Sequence, residues 1–145
     1  MITNYYLRPW KLSDATFIVK LRNNPELKQY FRQEKDLTLE GQRAFMRKAS
    51  SINYRGYILM GNEKPLGVFA LHGSELCIVA PLNYHSVGLN ILKAMHPLTM
   101  IFGHVFSYNP ALKVYLNNGF TVFGVNEKAY KKNGEWVSTV NICSL

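Results

Sequence analysis

The sequence predicts an α/β domain organised around a mixed β-sheet, and three observations lead there. Short apolar stretches of strand character alternate with amphipathic stretches at helical spacing along all 145 residues. The expected order is β-α-α-β-β-β-α-β-α-β-β, which combines hairpin-linked strands with strands separated by helices. No repeat, low-complexity tract or linker interrupts the pattern, so residues 1–145 are expected to form one domain with its own core.

Each element has a local reason. Residues 4–9 (NYYLRP) have strand composition. Ser13 or Asp14 is placed to cap a helix over 14–23, along which Phe17, Ile18 and Leu21 recur on one face. Asn24-Pro25 restarts the chain, with Pro at a first helical turn, Glu26 near the positive helix end, and Leu27, Tyr30 and Phe31 as the apolar face. Thr38 opens another helix over 39–49, with Phe45 and Met46 turned inward. The period then changes from helix to strand. Residues 53–60 (NYRGYILM) and 66–72 (LGVFALH) are strands joined by the turn GNEKP, and His72-Gly73-Ser74 leads into 75–80 (ELCIVA). A helix over 87–96 must stop near Pro97. Strand 100–107 (MIFGHVFS) precedes a helix over 110–118, capped by Asn109, entered through Pro110 and ended by Gly119. Strands 120–129 and 135–143, joined by the turn KKNG, complete a sheet of six to seven strands.

Composition bounds the function. Hydrophobic residues make up 48% of the chain and mean hydropathy is −0.10, and no apolar run approaches the ~20 residues of a membrane span. MITNYYLRPW lacks a charged segment followed by an apolar one, so a secretory leader is not expected and a cytoplasmic location is. Cys77 and Cys143 stand far apart without CxxC spacing and read as structural thiols of a reducing compartment. The four His and two Cys offer no pair at metal-ligand spacing, so no metal is expected. G-x-S-x-G and GxxxxGK[ST] are both absent, which sets aside the corresponding hydrolase and P-loop readings. Seventeen Lys and Arg against nine Asp and Glu give +8, which favours anionic partners, nucleic acid and phosphorylated cofactors among them. The densest basic cluster, KAYKKNG, reads as a solvated hairpin or as part of such a partner surface.

The stretch NPALKVYLNNGF (109–120), in this order of elements, resembles the GNAT superfamily of acyl-CoA-dependent N-acetyltransferases. There the segment after the fifth strand carries N-x-x-A-x-x-x-Y-x-x-x-G-F. Asn109, Tyr115 and Gly119-Phe120 keep that spacing, and Ala111 stands one position early. LRNNPELKQYF with LTLEGQRAF resembles a branch that acetylates ribosomal-protein N-termini or nucleotide-linked amino sugars. Arg22, Asn23, Pro25, Glu26 and Tyr30 carry that likeness, with Leu21 in place of the branch's Trp. The pyrophosphate loop diverges: Pro81 and Tyr84 align, but His85 takes the Arg/Gln place, Ser86 a Gly and Asn90 the last Gly/Ala, so Gly88 alone remains of the signature glycines. The helix after it is also short.

The resemblance implies a sheet splayed between strands four and five, acetyl-CoA as co-substrate in that opening, and an amine acceptor, small molecule or peptide. It implies cofactor contacts at Ile78, Val79, His85, Ser86, Val87, Gly88, Leu89, Asn109 and Ala111, with His85 meeting a phosphate and Gly103 allowing close approach. Tyr115 becomes the acid that protonates the leaving thiolate. For the base, His104 and Glu75 both stand; a buried or sheet-edge role for His104 stands beside that one. Arg22, Glu26, Tyr30 and Phe31 would wall the acceptor pocket. Two further readings remain open: a GNAT scaffold that binds nucleic acid or protein without catalysis, and a CoA-dependent enzyme that modifies nucleic acid. A homodimer is compatible with each.

Overall fold

The computed structural model describes residues 1–144 and places seven strands in one sheet, ordered β1-β2-β3-β4-β5-β7-β6. The strands are β1 (Tyr5–Pro9), β2 (Tyr54–Gly61), β3 (Lys64–His72), β4 (Glu75–Val79), β5 (Phe102–Phe106), β6 (Phe120–Lys132) and β7 (Glu135–Ser144). Five helices cover it: α1 (Ala15–Arg22), α2 (Pro25–Lys28), α3 (Leu39–Lys48), α4 (His85–Met95) and α5 (Ala111–Asn117). Every expected strand and helix is present, with bounds shifted by a few residues.

The two tight hairpins follow from turn chemistry. Asn62 and Glu63 hold φ of 49° and 66° between β2 and β3, and Asn133-Gly134 hold 50° and 83° between β6 and β7. Successive left-handed residues match the twist of the strands they join. Asp14 does not cap α1 with its side chain. It is buried instead, receiving both Arg8 guanidinium nitrogens at 2.8 Å and the Lys11 N–H at 2.7 Å. That pair ties β1 to the start of α1.

Two cores flank the sheet. Ile18, Met46, Ile58, Met60, Val68 and Val79 pack under α1 and α3. Leu59, Phe69, Leu71, Leu76, Ile78, Leu89, Leu92 and Ile142 pack under α4 and α5. Because both faces are covered, β2 to β4 carry nearly continuous apolar runs rather than alternation. A Cβ on Gly88 would stand 2.2 Å from the Phe69 ring, so the glycine lets α4 lie directly on β3. Among the described residues, no helix is long and apolar enough to cross a membrane.

The feature that makes a site is the junction of β4 and β5. They are parallel, and their register holds one pair, Glu75 with Phe102. Beyond that pair the strands diverge, while β4 stays zipped to β3 from Glu75 to Val79 and β5 to β7 from Phe102 to Phe106. The facing edges past Glu75 therefore lack strand partners, as the resemblance implies.

Candidate active site

A cleft of about 240 Å³ fills the opening between β4 and β5. Glu75, Leu76, Cys77 and Ile78 form one wall, Gly103 to Phe106 the other, Tyr115 and Asn109 lie at the α5 end, and Tyr30, Phe31 and Arg32 close it beyond α2. Tyr30, Phe31, Ile78, Asn109 and Tyr115 also line a smaller neighbouring pocket of about 50 Å³, which His85 joins. The fold thus gathers Glu75, His104, Tyr115, Ile78, Asn109, Tyr30 and Phe31 from five separate elements.

Tyr115 is set by the local chain. The Asn109 side chain accepts the Ala111 N–H at 2.9 Å, which starts α5, and Gly119 at φ 86° releases the chain into β6. Lys93 donates to the Asn118 carbonyl at 2.7 Å, satisfying the helix end. Tyr115 is 5% exposed, packs against Phe120, and among the described residues its hydroxyl has no hydrogen-bond partner. Burial pushes its phenol well above the ordinary value, and the nearby Cys77 thiol adds to the rise. The group stays protonated at any physiological pH and so carries a proton to give.

His104 projects from β5 on the face shared with Phe102 and is exposed to the cleft. Its Nδ1 lies 2.6 Å from the Asn141 amide oxygen on β7. An amide oxygen only accepts, so Nδ1 carries the hydrogen and Nε2 keeps a free lone pair in the neutral ring. That tautomer suits an acceptor of protons. Glu75 sits at the apex of the opening.

Several of the residues expected to contact the cofactor sit within α4 or in the core. A 3-10 turn at Leu82–Tyr84 runs straight into α4, and the Tyr84 and His85 N–H groups are taken by the Pro81 and Leu82 carbonyls. Val87, Gly88 and Leu89 are helix interior, with Gly88 and Leu89 buried against the sheet, so they offer no anion nest. The orphan donors of the combined helix head move forward to Leu82 and Asn83. Ser86 and Asn90, standing where the family has small residues, both reach the Asn118 side-chain oxygen, at 3.2 and 3.1 Å. They bridge α4 to α5. His85 does not reach out to a phosphate: it is 7% exposed, and its Nε2 donates to the Ala80 carbonyl at 2.8 Å. Its Nδ1 is buried without a partner, and burial lowers its pKa. The Val79 and Ala111 side chains are buried in the core, while the Val79 backbone stays on the open edge of β4. Arg22 stands behind the wall, its guanidinium over the Phe31 ring at 5.6 Å and its Nε 3.5 Å from Gln33, and Glu26 lies outside both cavities.

Sequence reasoning missed Arg32, Cys77, Asn141 and Lys132. Lys132 belongs to the cluster read as a solvated hairpin or partner surface, yet it is 8% exposed. Its ammonium donates to the Lys28 carbonyl at 2.6 Å and to the Phe31 carbonyl, and lies 5.6 Å from the Phe106 ring centre. Tyr108 donates to the Gln29 carbonyl at 2.6 Å and Tyr130 to the Arg32 carbonyl at 2.8 Å. Four bonds from β6 and the β5–α5 loop thus hold the segment that carries Tyr30, Phe31 and Arg32.

Among solved structures, the chain is similar to the spermidine N-acetyltransferase of Vibrio cholerae in complex with CoA and spermine. The identity is 18%, with 96% of this chain and 94% of that one covered at a TM-score of 0.81. It is similar also to the acetyltransferase of Salmonella typhimurium that modifies the N-terminal serine of ribosomal protein L7/L12, with 17% identity, 99% and 95% coverage and a TM-score of 0.80. No protein-family model and no curated protein matches the chain. The neighbours are GNAT acetyltransferases, and the fold of this chain is the GNAT fold.

Proposed function

We propose that this protein transfers an acetyl group from acetyl-CoA to a primary amine, directly, in a ternary complex of protein, donor and acceptor. One observation carries the reading: β4 and β5 part after a single register pair, and the only buried phenol at that opening, Tyr115, has a free hydroxyl and a raised pKa. The open edge of β4 past Glu75 offers backbone groups to the amide-bearing pantetheine arm, which would lie there as an added strand.

The residues then divide the chemistry. His104, held by Asn141 with Nε2 bare, accepts the proton of the attacking amine; Glu75 at the apex is the second acceptor in reach of the same cleft. The amine nitrogen bonds to the thioester carbonyl carbon and the carbon–sulfur bond breaks. Tyr115 gives its proton to the departing thiolate and regains one from solvent, while His104 releases to solvent the proton it took, so the protein ends unchanged. Tyr30 and Phe31 face the acceptor. A cleft equipped with acid and base supports catalysis over a binding scaffold.

The test is thermal unfolding with acetyl-CoA and with CoA, followed by thiol release with amines. Ligand at 100 times its dissociation constant adds ~2.7 kcal/mol of stability, a clear rise in midpoint. Tyr115→Phe should keep that rise and lose most of the turnover. An unchanged midpoint with donor present, or full turnover in Y115F, would end the reading.

A further inference from the structure

We infer that the acceptor is an amine bearing an anionic group, phosphate or carboxylate, and that Arg32 is the residue that selects it. This inference rests on the acyl-transfer reading above.

Arg32 lines the main cleft and is exposed to it. Among the described residues two ion pairs form, Arg8 with Asp14 and Lys28 with Asp36, and Arg32 belongs to neither. Its charge is nonetheless held in place. The guanidinium lies 5.5 Å from the Tyr130 ring centre, and the same tyrosine's hydroxyl donates to the Arg32 carbonyl at 2.8 Å. One side chain therefore fixes both the backbone and the head group. Stacking leaves the guanidinium edge, with its forked donors, available for a planar or tetrahedral anion. A cation meant only for solubility needs no such support.

The rest of the cleft agrees in sign. Glu75 is the single carboxylate on its lining, placed at the apex between β4 and β5, whereas Arg32 lies on the α2 side. Lys132 lies behind Phe106, another lining residue, but its ammonium is turned to the Lys28 and Phe31 carbonyls and sits beside Glu34, which leaves Arg32 as the cation on the lining. A polyamine would find one carboxylate and one held cation. An amine carrying an anion finds Glu75 and His104 for its nitrogen and Arg32 for its anion. Two-point attachment of this kind also orients the nitrogen toward the donor.

The experiment measures kcat/KM by thiol release from acetyl-CoA, using the whole chain. Three acceptors share a three-carbon amine arm: 3-aminopropanol, 3-aminopropyl phosphate and 4-aminobutyrate; spermidine is the polycationic probe. The phosphate or the carboxylate should exceed the alcohol by roughly tenfold or more, with spermidine last. Arg32→Ala should remove that gap chiefly through KM, and Arg32→Gln, which keeps a planar group over Tyr130, should remove it too. The midpoint rise with acetyl-CoA should be the same in all three proteins. Equal or better use of the alcohol or spermidine overturns the inference, as does a gap that survives both variants. A smaller acetyl-CoA effect in R32A overturns it by assigning Arg32 to the donor's phosphates. If acetyl-CoA raises the midpoint and no anionic amine reacts, selection by Arg32 fails while donor binding stands. If acetyl-CoA has no effect, the acyl-transfer reading itself fails.

Discussion

Replacing Lys132 by Met should loosen the acceptor side of the cleft and leave the donor side intact. The substitution keeps an unbranched apolar stem of similar length and removes the ammonium. Lost with it are the bonds to the Lys28 and Phe31 carbonyls and the contact over Phe106. A hydrogen bond from a charged donor contributes about 1.5–3 kcal/mol. Part of that returns here, because water reaches the freed carbonyls of a surface segment and because burial penalises the Lys132 charge, holding its pKa down. A net loss of about 2 kcal/mol is the reasonable figure, which is roughly thirtyfold in the population of the docked segment. Amide exchange over residues 25–34 should therefore quicken by that factor, and acceptor KM should rise by up to the same amount. The midpoint increment from acetyl-CoA should not change. Unchanged exchange together with unchanged KM would refute the idea that Lys132 holds this wall.

Three further outcomes follow. His104→Ala should flatten the acid limb of the pH–rate profile, and Asn141→Ala, which removes the bond fixing the ring tautomer, should lower kcat roughly tenfold for a lost bond of about 1.4 kcal/mol; a retained limb would pass the base role to Glu75 or to water. His85 has a folded-state pKa below the usual 6.5 through burial, so below 6.5 the unfolded chain binds a proton that the folded one refuses. Stability should be full above 6.5 and decline as pH falls through the depressed value; H85Q should reduce that slope, in part only, because His96 is lowered by burial and by Arg55 in the same sense. Gly88→Ala puts a methyl 2.2 Å from Phe69 and should cost about 1–3 kcal/mol, a midpoint drop of roughly 3–10 °C; a drop under one degree would mean α4 slides freely on β3.

The elements were legible because their periods differ and their turns carry strong signals. Asn62-Glu63 and Asn133-Gly134 needed no tertiary information, and the splay between strands four and five followed from the family pattern around Tyr115. The cleft lining was legible where one local stretch both forms an element and points a side chain into the opening, as at Asn109, Tyr115 and His104, and where the resemblance named it, as at Glu75, Ile78, Tyr30 and Phe31. Asn141 and Lys132 were hidden because their roles depend on the pairing of β7 with β5 and on where the long β6–β7 hairpin bends. The β6–β7 pairing shifts register between Val122 and Gly124 and again between Asn126 and Tyr130, which no count along the chain reveals. The loop before α4 misled for a different reason. Its backbone turns helical at Leu82 and enters α4 at His85, ahead of the helix expected from 87, so the residues aligned with the phosphate-binding pattern lie inside the helix.

The two sides of the cleft are built with different security. The donor side is the sheet itself: β4 and β5 each pair along their length with an outer neighbour, and Tyr115 stands on a helix packed into the main core. The acceptor side rests on α2, a helix of four residues with no buried side chain. A helix that short does not hold itself together in water. Its shape is imposed by Tyr108, Tyr130 and Lys132, which reach it from about 80 to 100 residues further along the chain. On the proposed reading, substitutions at Tyr130 and Lys132 of β6 should therefore alter acceptor use and leave the hold on the acyl donor unchanged. The proposed acceptor wall thus depends on Tyr108 and on two β6 side chains, none of them among the groups proposed to move protons.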